Sequence, residues 1–149
     1  MNKTIVIASG YFNPGHTGHL DYLEEAKKLG DLLFVIVNND EQVKLKGSQA
    51  FFCESERGRL VQSLECVDQA IISVDFDKSV KKTIGVIWSV FQLSGANIVF
   101  ANGGDQKSGV PEEEFCMRNG IKMIYGVGGE KTQSSSTLLN GIKGKNGRA

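Results

Sequence analysis

The 149 residues fit a single domain large enough to bury a core, and 17 basic residues cancel 17 acidic ones, which excludes the global positive field that draws a protein to nucleic acid or an anionic membrane. Three cysteines, odd in number and without a CxxC pair, exclude a secreted disulfide framework and a cysteine zinc site. The opening apolar run is too short for a signal sequence or a membrane span, so the chain reads as soluble, unprocessed and cytoplasmic, with reduced thiols.

Residues 4–9, TIVIAS, are the first of five continuous apolar runs bounded by turn residues, a pattern that suits strands buried on both faces. Leu20, Leu23, Ala26 and Leu29 put an apolar stripe on a helix over 17–29, with Gly30 at its C′ position. The run LLFVIV (32–37) follows. Leu60, Val61, Leu64 and Val67 predict a second helix over about 55–67, and Glu54 and Glu56 suit its N-terminus. After AIISV (70–74), Val80, Ile84, Ile87, Trp88 and Phe91 build a third, more buried helix over 79–93 that Gly95 closes. The run NIVFA (97–101) leads to a short helix between Pro111 and Gly120, with Glu112, Glu113 and Glu114 near the positive end of its dipole. KMIYGV (122–127) and a last helix over about 135–142 complete the pattern. The alternation predicts an α/β, Rossmann-like, doubly wound parallel five-stranded sheet with helices on both faces. This domain spans 1–142, and the polar residues 143–149 read as a flexible tail whose Lys143, Lys145 and Arg148 are solvated.

In such a sheet ligands bind beyond the carboxyl ends of the strands, where the first βα turn meets a helix N-terminus. That turn is GYFNPGHTGH, residues 10–19, which holds both histidines of the chain. Gly10 and Gly15 allow close backbone approach or positive φ, Gly18 permits tight packing, and the N–H groups opening the first helix offer an anion site. His16 and His19, three apart in the first turn, can supply donors to the same anion; a lone histidine would more often cap or pack. The glycines do not form GxGxxG, and GK[ST] is missing, which demotes dinucleotide binding and a Walker-type NTPase. HxxH lacks a third histidine and the HExxH glutamate, so a zinc site is disfavoured and no protein metal site is expected.

GYFNPGHTGH resembles the G-x-F-D-x-x-H-x-G-H signature of the HxGH nucleotidyltransferase superfamily, matching at Gly10, Phe12, His16, Gly18 and His19 and departing at Asn13, where Asp is common. LEEAKKLGDLLFVIVNND (23–40), LKG (45–47), SER (55–57), LECVDQAI (64–71), NGGD (102–105) and EKTQSSST (130–137) are similar, in order, to landmarks of the glycerol-3-phosphate cytidylyltransferases and heptose-phosphate adenylyltransferases. The last landmark commonly reads R-T-x-G-I-S-T-T, and here Lys131 stands for the Arg.

The resemblance implies transfer of a nucleoside monophosphate from CTP or ATP, carried with Mg²⁺, to a phosphorylated sugar or polyol, with release of pyrophosphate, by a homodimer. Another phosphate acceptor, such as a pantetheine or nicotinamide phosphate, and a weakly catalytic nucleotide-binding regulatory module are the alternatives. His16 and His19 would donate to α- and β-phosphate oxygens. Lys46, rather than Lys44, would reach the phosphates from the loop after the second strand, although a surface lysine is an equally good reading. Gly10, Tyr11, Phe12 and Gly18 would line the nucleotide site, and Gly103, Gly104 and Asp105 would lie by the nucleoside. Lys131, Thr132, Ser135 and Ser136 would meet the β- and γ-phosphates at the last helix, with Lys131 joining the catalytic set. Arg57 would serve the acceptor or the triphosphate, and Arg59 would be solvated.

Overall fold

The computed structural model describes residues 2–104 and 109–129. Five strands, β1 (Thr4–Gly10), β2 (Leu32–Val37), β3 (Gln69–Ile72), β4 (Asn97–Gly103) and β5 (Lys122–Val127), form one sheet in the order β3-β2-β1-β4-β5. Every pairing is parallel, with Ile5 opposite Leu32 on one side of β1 and Ile98 on the other. The chain winds outward from β1 through β2 to β3, returns across the sheet, and winds outward again through β4 and β5. The switch therefore falls between β1 and β4, where a ligand crevice belongs.

Alternation along β1 divides the core. Val6 and Ala8 point to one face, packing with Leu23 and Ala26 of α1 (Thr17–Lys27), and Val61 of the helix Glu54–Gln62 belongs to the same cluster. Ile5 and Ile7 point to the other, packing with Ile84 and Ile87 of the helix Lys81–Phe91 and Cys116 of the helix Glu113–Arg118. β3, at the edge, has no fully buried residue, so the expectation of burial on both faces fails there.

A short helix not expected from the sequence, α2 (Asp40–Leu45), follows β2, and the helices already mentioned become α3 (Glu54–Gln62), α4 (Lys81–Phe91) and α5 (Glu113–Arg118). The Asn39 side chain caps α2 by accepting the Gln42 N–H at 2.9 Å, while Gln42 Oε1 accepts the Asn39 N–H at 3.0 Å. This reciprocal cap needs only two polar side chains three apart, which leaves no apolar period to read.

Two helix faces differ from expectation. In α3 the buried residues are Arg57, Gly58 and Val61, while Leu60 faces outward and the helix stops five residues before Val67 because tight turns, Leu64 N–H to Val61 O and Val67 N–H to Leu64 O, replace it. In α1 Leu29 lies beyond the helix end and is exposed. Gly30 is not left-handed; a Cβ there would sit 2.8 Å from Thr4 O, so close approach of β1 is what requires glycine. Gly95, with φ 78°, does close the segment after α4, as expected. Among the described residues no helix is long and apolar enough to cross a membrane. The last helix over 135–142 and the tail 143–149 lie outside the described residues.

Candidate active site

The carboxyl ends of β1 and β4 open into a cleft of about 660 Å³ lined by Gly10, Tyr11, Phe12, His16, Gly18, His19, Lys46, Gly103 and Gly104. The sequence-predicted site residues within the described segments thus converge on one cavity, Arg57 apart. Asp105, Lys131, Thr132, Ser135 and Ser136 lie outside the described residues.

The turn after β1 is shaped by Phe12 rather than by its glycines. Phe12 has φ 51°, is 5% exposed, and folds its ring over Gly10, where a Cβ would lie 2.9 Å from the ring. The left-handed residue is therefore Phe12, while Gly10 is fixed by close approach, and a Cβ added at Gly15 would meet nothing within 4 Å. The Asn13–Pro14 peptide is cis.

His16 is the N-cap of α1, with extended φ −149° and ψ 178°. Its Nδ1 accepts the Gly18 N–H at 3.1 Å, and its own N–H donates to Nδ1 of His19 at 3.2 Å. Both histidines thus do cap the helix. The same bonds make each Nδ1 an acceptor, which places the proton of the neutral imidazole on Nε2. Capping and donation to a ligand are served by opposite nitrogens, so the structural and functional readings of these residues coexist.

Arg57 holds the turn to its neighbours. Its side chain is fully buried in the middle of α3. Nε donates to Phe52 O at 2.9 Å, one terminal nitrogen to Tyr11 O and Asn38 O at 2.8 and 2.7 Å, and the other to Asp40 Oδ1 at 2.6 Å. Sequence reasoning assigns this guanidinium to the acceptor or triphosphate; the geometry gives these donors to three backbone carbonyls and the Asp40 carboxylate. Asn13 ties the same turn to the segment after α2, its amide donating to Gln49 O at 3.0 Å and its carbonyl accepting the Phe51 N–H at 2.8 Å. An aspartate would keep only the second bond. Lys46 ends α2 and sets Nζ 4.2 Å over the Tyr11 ring, inside the cleft, whereas Lys44 pairs with Glu41 at 3.3 Å on the exposed side.

Three lining residues carry no signal that sequence reasoning could use. Tyr22 donates to Ala101 O at 2.6 Å and accepts the Ser9 N–H at 3.3 Å, fixing α1 against the ends of β1 and β4; burial pushes its phenol far up. Lys78 stands just before α4. Glu112, read from sequence only as dipole complement, is buried, and desolvation raises its carboxyl above the ordinary glutamate range. The cysteines take no part: Cys53 is exposed, and burial pushes the Cys116 thiol up to about 12.

Comparison with known proteins gives the family and agrees with the fold. The family model described as cytidylyltransferase-like matches residues 7–133. The chain is 43% identical over 144 residues to the bifunctional protein HldE of Campylobacter fetus, covering 95% of this chain and 28% of that protein. It is 39% identical over 88 residues to the FAD synthase of Thermoplasma acidophilum, covering 59% of this chain and 61% of that one. The match thus spans less than two thirds of either relative. A crystal structure of the lipopolysaccharide core biosynthesis protein from Thermoplasma volcanium superposes with a TM-score of 0.64 at 28% identity, over 89% of this chain and all of that one.

Proposed function

Since the chain belongs to the cytidylyltransferase-like family, we propose that its cleft transfers a nucleoside monophosphate from CTP or ATP to a phosphorylated sugar or polyol and releases pyrophosphate. The observation that carries this reading is the pair of imidazoles held by their Nδ1 atoms at the N-terminus of α1. Their Nε2–H groups and the positive end of the helix dipole suit an anion whose charge grows in the transition state.

An oxygen of the acceptor phosphate attacks the α-phosphorus, the bond from that phosphorus to the bridging oxygen of the β-phosphate breaks, and pyrophosphate leaves with the electron pair. A phosphate monoester is largely ionised at neutral pH, its second pKa being about 6, so no strong base is required. The work of the chain is positioning and charge stabilisation. His16 and His19 would hold α- and β-phosphate oxygens, Lys46 would reach a phosphate from above Tyr11, and Lys131, Thr132, Ser135 and Ser136 would meet the β- and γ-phosphates. Gly103, Gly104 and Asp105 would border the nucleoside. Magnesium enters as part of the triphosphate substrate; among the described residues no group of three His, Cys, Asp or Glu stands ready to hold an ion.

Pyrophosphate release with CTP, ATP, GTP and UTP, each against a sugar phosphate, a polyol phosphate and FMN, tests the reading. FMN belongs in the panel because one relative bears the name FAD synthase. Turnover with CTP or ATP and little with GTP or UTP is expected, because cytosine and adenine share an amine donor beside a ring acceptor where the corresponding edge of the other two bases presents a carbonyl and an N–H. The homodimer belongs to the same reading and is checked by light scattering.

A further inference from the structure

One wall of the cleft presents a carboxylate that the transfer scheme does not use. Glu112, the N-cap residue of α5, is 7% exposed yet lines the cavity. Oε2 accepts the Val80 N–H at 2.9 Å, where α4 begins. The Glu112 backbone N–H is a second donor to the carboxylate, and among the described residues no salt bridge reaches it. Asp75 and Asp77 add negative charge nearby. A carboxylate largely withdrawn from water, with two backbone donors for about four acceptor sites and no countercharge, is costly in a merely structural place. Facing a ligand cleft, it is matched by any ligand that brings a donor.

Tyr11 is within reach of charges of both signs. The Lys46 ammonium sits over the Tyr11 ring, and the charge of Glu112 acts on the Tyr11 hydroxyl. An anion is therefore favoured beside His16, His19 and Lys46, and a donor group beside Glu112, while Lys78 adds a further cation to the lining.

We propose that Glu112 reads the acceptor, its carboxylate accepting a hydrogen bond from a hydroxyl or ammonium group on a small phosphate monoester whose phosphate lies beside His16, His19 and Lys46. This rests on the reading of the cleft as a nucleotidyltransferase site. It makes Glu112 a specificity-determining residue: it touches the acceptor away from the reacting phosphorus and discriminates acceptors by the donor they carry.

Calorimetric titration of the wild-type protein and Glu112→Gln with matched probes tests this without turnover. The probes are sn-glycerol 3-phosphate against n-propyl phosphate for the hydroxyl, and phosphoethanolamine against ethyl phosphate for the ammonium. Gln keeps an oxygen for the Val80 N–H and loses the charge. A hydrogen bond to a buried charge predicts that the wild type binds at least one donor-bearing probe tenfold or more tighter than its donorless partner. In Glu112→Gln that preference should shrink about fivefold to tenfold, while the donorless probes bind as before and Tm is not lowered. Equal binding of both members of each pair by the wild type overturns the proposal. So does a Glu112→Gln protein that keeps the preference and only loses Tm, because the carboxylate would then serve α4 alone. If the preference is found but no triphosphate yields pyrophosphate, the transfer reading fails and what stands is recognition of a donor-bearing phosphate by Glu112; turnover with donor-blind binding overturns the role of Glu112 and leaves the transfer reading in place.

Discussion

The imidazoles of His16 and His19 stack with their ring centroids 4.0 Å apart and 27° between the planes, each Nδ1 bonded to a backbone N–H of the same helix turn. Phe12 packs against His19 at 4.9 Å, so the pair is braced by the residue that also fills the space over Gly10. Donors held in this way would stabilise developing charge without reorganising at the moment of reaction.

The cap and the donor can be separated by substitution. In His16→Asn the side-chain oxygen can still accept at the N-cap, so Tm should stay within about a degree or two of wild type while kcat falls ~10²–10³-fold. His16→Ala should lose the cap as well, costing roughly 1 kcal/mol in addition to the same drop in kcat. His19→Ala should match the kcat loss. Thermal melts and steady-state pyrophosphate release give both numbers, and full activity in His16→Asn would confine His16 to capping.

Arg57 predicts a stability effect first. Arg57→Lys keeps the charge, but an ammonium cannot follow the fork that now joins Phe52, Tyr11, Asn38 and Asp40. Each buried carbonyl left unpaired costs ~1–3 kcal/mol, so the total should reach several kcal/mol and lower Tm by many degrees. At a temperature where the variant is folded, the turn that carries Tyr11 loosens, and KM for the triphosphate should rise. An unchanged Tm with a raised acceptor KM alone would return Arg57 to direct contact with the acceptor.

For Asn13 the two tethers give separate readouts. Asn13→Asp retains the acceptor for the Phe51 N–H and loses the donor to Gln49 O; Asn13→Ala loses both. Hydrogen exchange at the Phe51 amide should therefore stay protected in the first variant and accelerate in the second. Acceleration in both would mean that the Gln49 bond alone orders the segment.

How far these features could be read from the sequence depends on their range. Strands β1, β2, β4 and β5 and the cores of α1 and α4 follow from apolar runs and periods, which burial against a sheet imposes directly. The two histidines were legible because a glycine-rich first turn and a helix N-terminus make an anion site by local geometry. Arg57 and Asn13 were visible as residues but not in their roles, since their partners lie 5 to 46 residues away along the chain. Glu112 was hidden by Glu113 and Glu114: three like residues at a helix start read alike, and only packing against Val80 singles out the buried one. α2 was hidden because its cap is polar and its buried residues are only Gln42 and Val43.

Burial of Glu112 has a pH signature independent of any ligand. Desolvation, opposed by the Val80 and Glu112 backbone N–H groups and reinforced by the charges of Asp75 and Asp77, raises its carboxyl above the ordinary 4.5. The folded state therefore holds this proton more tightly than the unfolded chain. Below about 4.5 the contribution to stability is fully present, and it is lost as pH rises through the folded value. Glu112→Gln removes that titration and leaves an oxygen for the Val80 N–H. The difference in Tm between Glu112→Gln and wild type should consequently move in favour of the variant as pH rises above about 4.5, then level off once the wild-type carboxyl is ionised in both states. Groups that do not interact with Glu112 titrate alike in both proteins and cancel in the difference. Melts from pH 4 to pH 8 in a single ionic strength measure it, and a difference that is flat or falls with pH would show that the carboxylate is matched inside the fold, removing the ground for assigning it to a ligand.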